Sequence, residues 1–334
     1  SIKVCEVREK RGSRSLVRFG YHALPPQTIV DGHVMGSGAV VEGLDRLFHK
    51  ARFRDVALRI SGHSVIIKKI SMPLMSPVEL REQINWEAEQ HIPYDVQDVE
   101  IDYQVLRRRD SEGQMDVLIV AAKKEEINDL ISLASEARLR PRVVDLDAFS
   151  IQNCFNALHG DPAQGETVVL LHVGASLTTV NILSDGTTSF TRDIANGGQS
   201  ITDEIQRQLS ISAEEAEAYK CGSSAGLVPR EVPRIIQDVV HNLASEIQRS
   251  MDFYLATSGE QNISRLCMSG GAATMQALQD AVSDRSGRAV ELVDPLRIAT
   301  VSGRTAGRAE VEQRRAQAVV ATGLALRKQK ERAS

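Results

Sequence analysis

The chain has no excess of basic residues: forty Lys and Arg stand against forty-four Asp and Glu, a formal charge of −4. A protein that grips nucleic acid needs a surplus of cations, so that class of partner is set aside. Its four cysteines, Cys5, Cys154, Cys221 and Cys267, are scattered, with no C-x-x-C pair and no histidine cluster beside them. That excludes a zinc site and a disulfide framework and points to reduced thiols in a cytosolic protein. No apolar run approaches the ~18 residues of a membrane-spanning helix and no signal peptide is visible, so a membrane role must be borrowed from a partner. The chain opens on Ser1, not Met, in what reads as mid-strand, which carries the expectation of an upstream strand and turn.

At 334 residues there is material for two lobes, each with its own core. Two segments share one layout. Ile2 to Leu24 reads strand, polar turn at Arg11-Gly12-Ser13, strand; Thr178 to Ile194 reads strand, Asp185-Gly186 turn, strand. Between them, Val56 to Ile70 predicts strands, and Ser76-Pro77-Val78-Glu79 supplies an N-cap, a first-turn proline and a capping-box acid. Leu80, Ile84, Ala88 and Ile92 then fall on one helix face, with Pro93 as the stop. Trp86, the single tryptophan, flanks that stripe; core packing is its default reading, a grip on a partner peptide its alternative. A hairpin from Glu100 to Ala121 and a helix from Glu125 to Leu139, carrying Ile127, Leu130, Ile131 and Ala134, complete the block. Further on, Ser200 with Asp203 and Ser212 with Glu215 read as helix caps, Arg234 to Ala256 as a long helix, and Ser302 to Arg315 as a polar, mobile connector. Alternating strands and helices mean an α/β protein.

Three places hold residue types suited to a nucleotide. The strand Val168 to Val173 enters a turn at Gly174, Ala175 and Ser176, where small residues allow a ligand close to the backbone and donors face outward. Ser269-Gly270-Gly271-Ala272 offers a second turn of this kind ahead of a helix, although Gly-Gly serves chain reversal equally well. Glu217 and Lys220 lie at i and i+3 on one helix, either as a solvated pair or as groups that meet a ribose and the edge of an adenine.

In this order the pieces resemble the actin-like ATPases: Lys3 matches the lysine closing their first phosphate motif, Gly174 and Ser176 the second, Glu217 and Lys220 their Ala-Glu-x-x-Lys element, Gly270 and Gly271 the adenosine motif, and Gly323 the closing helix. The insertion from Glu79 to Tyr94, with Val99 to Leu106, Val143 to Phe149 and Gly197 to Ile205, narrows the resemblance to the PilM family of type IV pilus assembly proteins. The resemblance implies an actin-like bilobal fold with two RNase-H-like lobes and the inserted subdomain also found in the cell-division protein FtsA. The first lobe would span 1–72 and 140–165, the insertion 73–139, and the second lobe 166–198 and 263–301 around a helical subdomain at 199–262. A connector and terminal helix at 302–334 would return to the first lobe.

By the same resemblance the chain binds ATP or ADP, with room for Mg2+, and takes the cytoplasmic N-terminal tail of PilN in a groove between first lobe and insertion; apolar pockets from the Ile84/Trp86 helix are expected there from this chain's own residues. PilO and PilP follow indirectly; the pilus motor ATPases and a homo-oligomer are further partners it allows. The place would be the cytoplasmic face of the inner membrane. His172 stands where the relatives carry an acid, so hydrolysis should be absent or slow, and no catalytic residue is assigned. A filament-forming FtsA-like protein and a phosphotransferase are the alternatives. The basic end Arg327 to Arg332 lacks the apolar face of a membrane anchor, against the FtsA reading. Asp145 and Asp147 read as stabilisers of the turn into the next helix, and Arg107 to Arg109 as a solvated hairpin tip.

Overall fold

In the computed structural model, which describes residues 1–30, 33–49, 51, 53–62, 64–223 and 226–327, β1 (Ile2–Lys10) folds back as β2 (Ser13–His22). The turn residues Arg11 and Gly12 have φ of 52° and 77°. Two successive positive φ values match the right-handed twist of the strands, which is why a glycine sits there. A small hairpin, β3 (Ile29–Val30) and β4 (His33–Val34), leads to α1 (Ser37–Phe48) and β5 (Asp55–Ile60).

The inserted block is built on β6 (Val65–Pro73), α2 (Pro77–Glu89), β7 (Val99–Arg109) and β8 (Gln114–Lys123), with the strands in the order β6-β8-β7, antiparallel throughout. The expected capping box on α2 is present in full: Ser76 accepts from the Glu79 N–H, and Glu79 returns the bond to the Ser76 N–H. Leu80, Ile84 and Ala88 lie against Met115, Val117 and Ile119 of the central strand. Each large side chain so buried contributes about 1.5–3 kcal/mol. The helix ends at Glu89, ahead of Pro93, because Gln90 and His91 already close a turn onto the carbonyls of Glu87 and Ala88.

α3 (Lys124–Glu136) and β9 (Arg140–Leu146) return to the first lobe, where β9 pairs in parallel with β5. Of the predicted stripe on α3, Ala134 is buried and Ile127 and Leu130 pack partly buried against the core; Ile131 is exposed, and Leu133 is buried in its place. α4 (Asp147–His159) then crosses to the second lobe. There β10 (Thr167–Val173), β11 (Thr178–Ser184) and β12 (Thr187–Ile194) form an antiparallel run with a turn at Asp185 and Gly186 of φ 52° and 76°. The two hairpins share turn geometry, and each carries an irregularity in its first strand, at Glu6/Val7 and Ile182/Leu183.

Three helices follow, α5 (Gly198–Leu209), α6 (Ala213–Cys221) and α7 (Val232–Ser258), the last with Ile235, Leu243, Ile247 and Met251 buried as its spacing predicts. β13 (Arg265–Ser269), α8 (Gln276–Ser286) and β14 (Val290–Leu292) complete a five-stranded sheet in the order β12-β11-β10-β13-β14.

The predicted mobile connector is ordered. β15 (Thr300–Ala306) pairs in parallel with β2, and α9 (Arg308–Gln313) follows it. Thr305 Oγ1 donates to the Leu16 carbonyl at 2.8 Å, and Gly307, at φ 75°, approaches Phe19 so closely that a Cβ would fall 2.0 Å from its carbonyl oxygen. A strand forms because β2 has an edge to offer, a fact that the polarity of residues 302–315 conceals. α10 (Val319–Ala325) packs on α4, β1 and β5. At the crossing with α4, Gly323 leaves no room: a Cβ would lie 1.8 Å from the Ser150 carbonyl oxygen. The basic tail from Lys328 to Arg332 lies outside the described residues. Among the described residues no helix is long and apolar enough to cross a membrane.

Candidate functional site

β10 is the middle strand of its sheet, and Val168 to Leu171 and Val173 are fully buried. A strand covered on both faces reads as a continuous apolar run. Its end is a sharp turn in which the Gly174 N–H donates to the Leu177 carbonyl at 2.9 Å. The carbonyls of Gly174 and Ala175 in turn accept from Gly198 and Gln199, at 2.9 and 2.7 Å. That approach demands Gly197, since a Cβ there would sit 2.6 Å from the Ala175 oxygen. It also corrects the predicted cap. α5 starts at Gly198, its first N–H groups satisfied by the turn, while Ser200 donates to Asn196 and Asp203 accepts from Gln199. Ala175 and Ser176 are exposed, and among the described residues no acceptor takes their N–H groups. These donors face outward where an anion could reach them.

Lys220 is drawn in from α6 to the start of α5. Its ammonium donates to the Gly198 carbonyl at 3.1 Å and the Thr202 hydroxyl at 2.9 Å, and pairs with Glu217. Thr202 also donates to Glu217. The Glu217 carboxyl is held below its usual range by Lys220 and Thr202, against a desolvation cost that pulls the other way. The pair is therefore no free surface salt bridge: Lys220 is 10% exposed and Glu217 48%. Thr202, one turn after Gly198 on the same helix, is a member that sequence reading missed.

The second turn splits in its duties. Gly270 is buried at φ 99°, and a Cβ would fall 2.2 Å from the Val173 carbonyl oxygen; its N–H donates to Ala316 at 2.8 Å. Only glycine allows two backbones this close. Gly271 is partly exposed, and a side chain there would meet Gln317 at an ordinary 3.6 Å. The expected helix does not begin at this turn: one short 3-10 turn, Ala272–Thr274, intervenes before α8. The three features nonetheless converge. Around the position a Gly198 Cβ would take lie Ala272 at 3.2 Å, the Gly174 oxygen at 3.6 Å and the Lys220 ammonium at 3.9 Å.

Below them sits a charged floor. His172 Nδ1 lies 2.9 Å from Ser269 Oγ. Burial, and after it the charges of Lys3 and Arg59, bring the His172 pKa down to about 3, so the ring is neutral. Lys3 itself is pulled down to about 8, by burial first and then by Arg59 and Arg314. Arg59 donates to Asp147 at 2.7 Å, and Asp193 of β12 accepts from Thr179 Oγ1 and from the Gly62 N–H, both at 2.7 Å. Asp145 accepts from the Leu146 N–H and pairs with Arg327 at 3.2 Å, in the turn role expected of it. Arg59 and Asp193 carry no local motif, and no sequence signal identified them.

These residues suit a nucleoside polyphosphate through outward N–H groups, a nearly buried ammonium and the Lys3 side chain beneath them. Among the described residues no group of three His, Cys, Asp or Glu could hold a metal ion, so Mg2+ would be carried mainly by the phosphates. The helix offered as a partner platform needs one correction. Ile84 is 5% exposed and belongs to the core, whereas Trp86, expected in the core, is 62% exposed.

The model of a family described as type IV pilus assembly protein PilM matches residues 1–329. The chain is similar to a PilM-PilN type IV pilus biogenesis complex at 25% identity and a TM-score of 0.85, covering 97% of this chain and 94% of the other. It also resembles the ethanolamine utilization protein EutJ from Carboxydothermus hydrogenoformans (13% identity, 98% and 90% coverage, TM-score 0.56). A third likeness is MreB 5 of Spiroplasma citri bound to AMPPNP (11% identity, 96% and 86% coverage, TM-score 0.53). The last two speak for the fold alone, an actin-like one.

Proposed function

The chain belongs to the family of the type IV pilus assembly protein PilM, and from that premise we propose that it is a nucleotide-binding adaptor at the cytoplasmic face of the inner membrane that holds the N-terminal tail of PilN. The observation that carries the nucleotide half is the meeting of Gly174, Lys220 and Ala272 around Gly198. Segments far apart in sequence bring a phosphate turn, a ribose-facing pair and a purine-facing turn to one place. ATP or ADP, with Mg2+ on its phosphates, is the ligand this suits.

The partner half is supported by the likeness to a PilM-PilN complex along nearly the whole chain. In this reading residues 73–139 act as the inserted subdomain that faces the tail, and 199–262 as the helical subdomain over the nucleotide. PilO and PilP are reached through PilN, and contact with the motor ATPases lies beyond that. Nucleotide in the cleft favours lobe closure to the extent that it meets Lys3 of the first lobe as well as the turns of the second. Turnover is slow or absent, since a neutral imidazole at 172 cannot orient a metal-bound water as a carboxylate does.

The test is binding of a fluorescent ATP analogue, phosphate release, and co-purification with a synthetic PilN tail peptide. Binding of both ligands with negligible phosphate release supports the reading; rapid turnover or failure to retain the peptide removes the corresponding half.

A further inference from the structure

β5 runs toward the cleft, where the Gly62 N–H just beyond its end reaches Asp193. Its other end, about 20 Å away at about 3.3 Å per residue, is cationic. β5 and β9 begin there side by side: the Arg140 N–H donates to the Arg54 carbonyl at 2.7 Å, and Asp55 stands opposite Arg140 in the register. The ends of α1 and α3 close over the same place, with Leu47, Phe48 and Ala51 packed among Ala134, Ala137 and Leu139. Residues 53–55 and 136–142 are thus brought together, and they hold Arg54, Arg138, Arg140 and Arg142 against Asp55 and Glu136. Arg140 and Arg142 share a single oxygen of Asp55, at 2.8 and 3.2 Å. Among the described residues Arg54 and Arg138 have no carboxylate partner. Phe53 stands beside them 63% exposed.

The backbone singles out Arg138. α3 ends in a Schellman motif, with the Leu139 N–H donating to the Ala134 carbonyl and the Arg138 N–H to that of Ser135. The residue after such a helix needs a left-handed backbone, which glycine takes without strain. α6, α7 and α8 close on Gly222, Gly259 and Gly287, at φ of 65°, 78° and 64°, whereas α3 closes on Arg138 at 57°. An arginine kept where glycine folds more easily argues that its side chain is used.

We infer that this end of the first lobe is a direct membrane contact, in which Arg54, Arg138, Arg140 and Arg142 meet anionic phospholipid headgroups and the Phe53 ring enters the layer between headgroups and acyl chains. In the PilN reading the membrane is reached only through the partner; this contact needs neither partner nor nucleotide. An array of guanidiniums at the ends of two strands and a helix suits a plane of negative charge, and an aromatic ring standing among them suits the apolar side of that plane. The chain carries −4 overall, so an anionic surface repels the rest of it and turns this end inward. An acidic polypeptide in solution answers the guanidiniums but gives the ring no apolar medium. Lying at the far end of β5, the contact leaves the cleft open to its own ligands.

The test sediments the whole protein with vesicles of phosphatidylcholine alone and of phosphatidylcholine mixed equally with phosphatidylglycerol. Only the acidic vesicles should retain it, and added salt should weaken the retention. Arg54→Gln and Arg138→Gly should each weaken it about fivefold, the worth of one arginine at an anionic surface. Arg138→Gly also relieves the backbone, so its melting temperature should equal or exceed that of the unmodified protein, which separates lost contact from lost fold. Phe53→Trp in a Trp86→Phe background should shift its emission to the blue on acidic vesicles and not on neutral ones. Failure to bind acidic vesicles, equal retention on both kinds, or retention indifferent to the arginine variants overturns the inference. Binding of polyglutamate with no emission shift on lipid gives the surface to an acidic polypeptide and also overturns it.

Discussion

His172 and Ser269 face each other across β10 and β13, with the imidazole Nδ1 2.9 Å from the hydroxyl oxygen. The same hydroxyl donates to the Leu171 carbonyl at 3.2 Å. A hydroxyl whose single proton is committed can only accept from the ring, so His172 carries its proton on Nδ1 and leaves Nε2 bare. The site thus has a neutral acceptor where a carboxylate would bring a negative charge.

That neutral ring makes stability depend on acidity. The folded His172 has a pKa near 3, whereas an unfolded histidine takes a proton near pH ~6.5. Above that pH neither state is protonated and nothing is lost. As pH falls from there toward 3 the unfolded chain gains a proton the folded one refuses, and stability drops by up to about 1.4 kcal/mol per pH unit. Urea unfolding followed between pH ~6.5 and ~4.5 should give His172→Gln a shallower decline than the unmodified protein; parallel declines would reject the assignment.

Lys3, brought down to about 8, is largely neutral somewhat above that pH. A phosphate arriving beside it restores the charge, so nucleotide binding at pH ~8.5 should take up a proton, and binding at pH ~7 should not. Calorimetry in Tris and in Bicine reads this directly: the heats should differ with buffer ionisation at the higher pH and converge at the lower. Lys3→Met should abolish the difference.

Gly270 and Gly271 should behave oppositely. Gly270→Ala forces a Cβ to 2.2 Å from the Val173 oxygen at a φ of 99°, and is expected to cost about 3 kcal/mol or more. At Gly271 the nearest neighbours of an added Cβ are atoms of the Gln317 side chain at ordinary contact distance, so thermal melting of Gly271→Asp should stay near that of the unmodified protein while affinity for a fluorescent ATP analogue falls at least about tenfold. Comparable melting temperatures for the two variants would contradict the division of duties.

On α2, Ile84→Ala removes a core side chain and should destabilise by about 3 kcal/mol. Trp86→Ala touches an exposed one and should stay within about 0.5 kcal/mol. If Trp86 contributes to partner capture, the loss will be in peptide affinity and not in the urea midpoint.

What was legible in the sequence is what local chemistry dictates. The twin hairpins announce themselves because Arg11-Gly12 and Asp185-Gly186 must adopt positive φ, and the α2 cap because serine and glutamate satisfy each other within one turn. The start of α5 was hidden: its N–H groups are taken by carbonyls of the Gly174 turn, a partner distant in the chain. The strand β15 was hidden likewise, since it depends on an edge elsewhere. At the site, Lys3, Gly174 and Lys220 could be named from motif order, but Arg59, Asp193 and Thr202 act only through tertiary proximity. The exposure of Trp86 was invisible for the same reason; a stripe tells which face is buried, not how far its flank is covered.

α4 carries the chain out of one lobe, and α10 lies back across it at the point where Gly323 rests on Ser150. Such a contact has no side chain to compress, so it behaves as a bearing and not as a cushion. The closeness of the two helices there is fixed by backbone against backbone, with the carbonyl of Ser150 as the limit. A single added methyl group at 323 would work as a wedge between the end of the chain and α4, prising apart two helices from a position outside the nucleotide-facing turns.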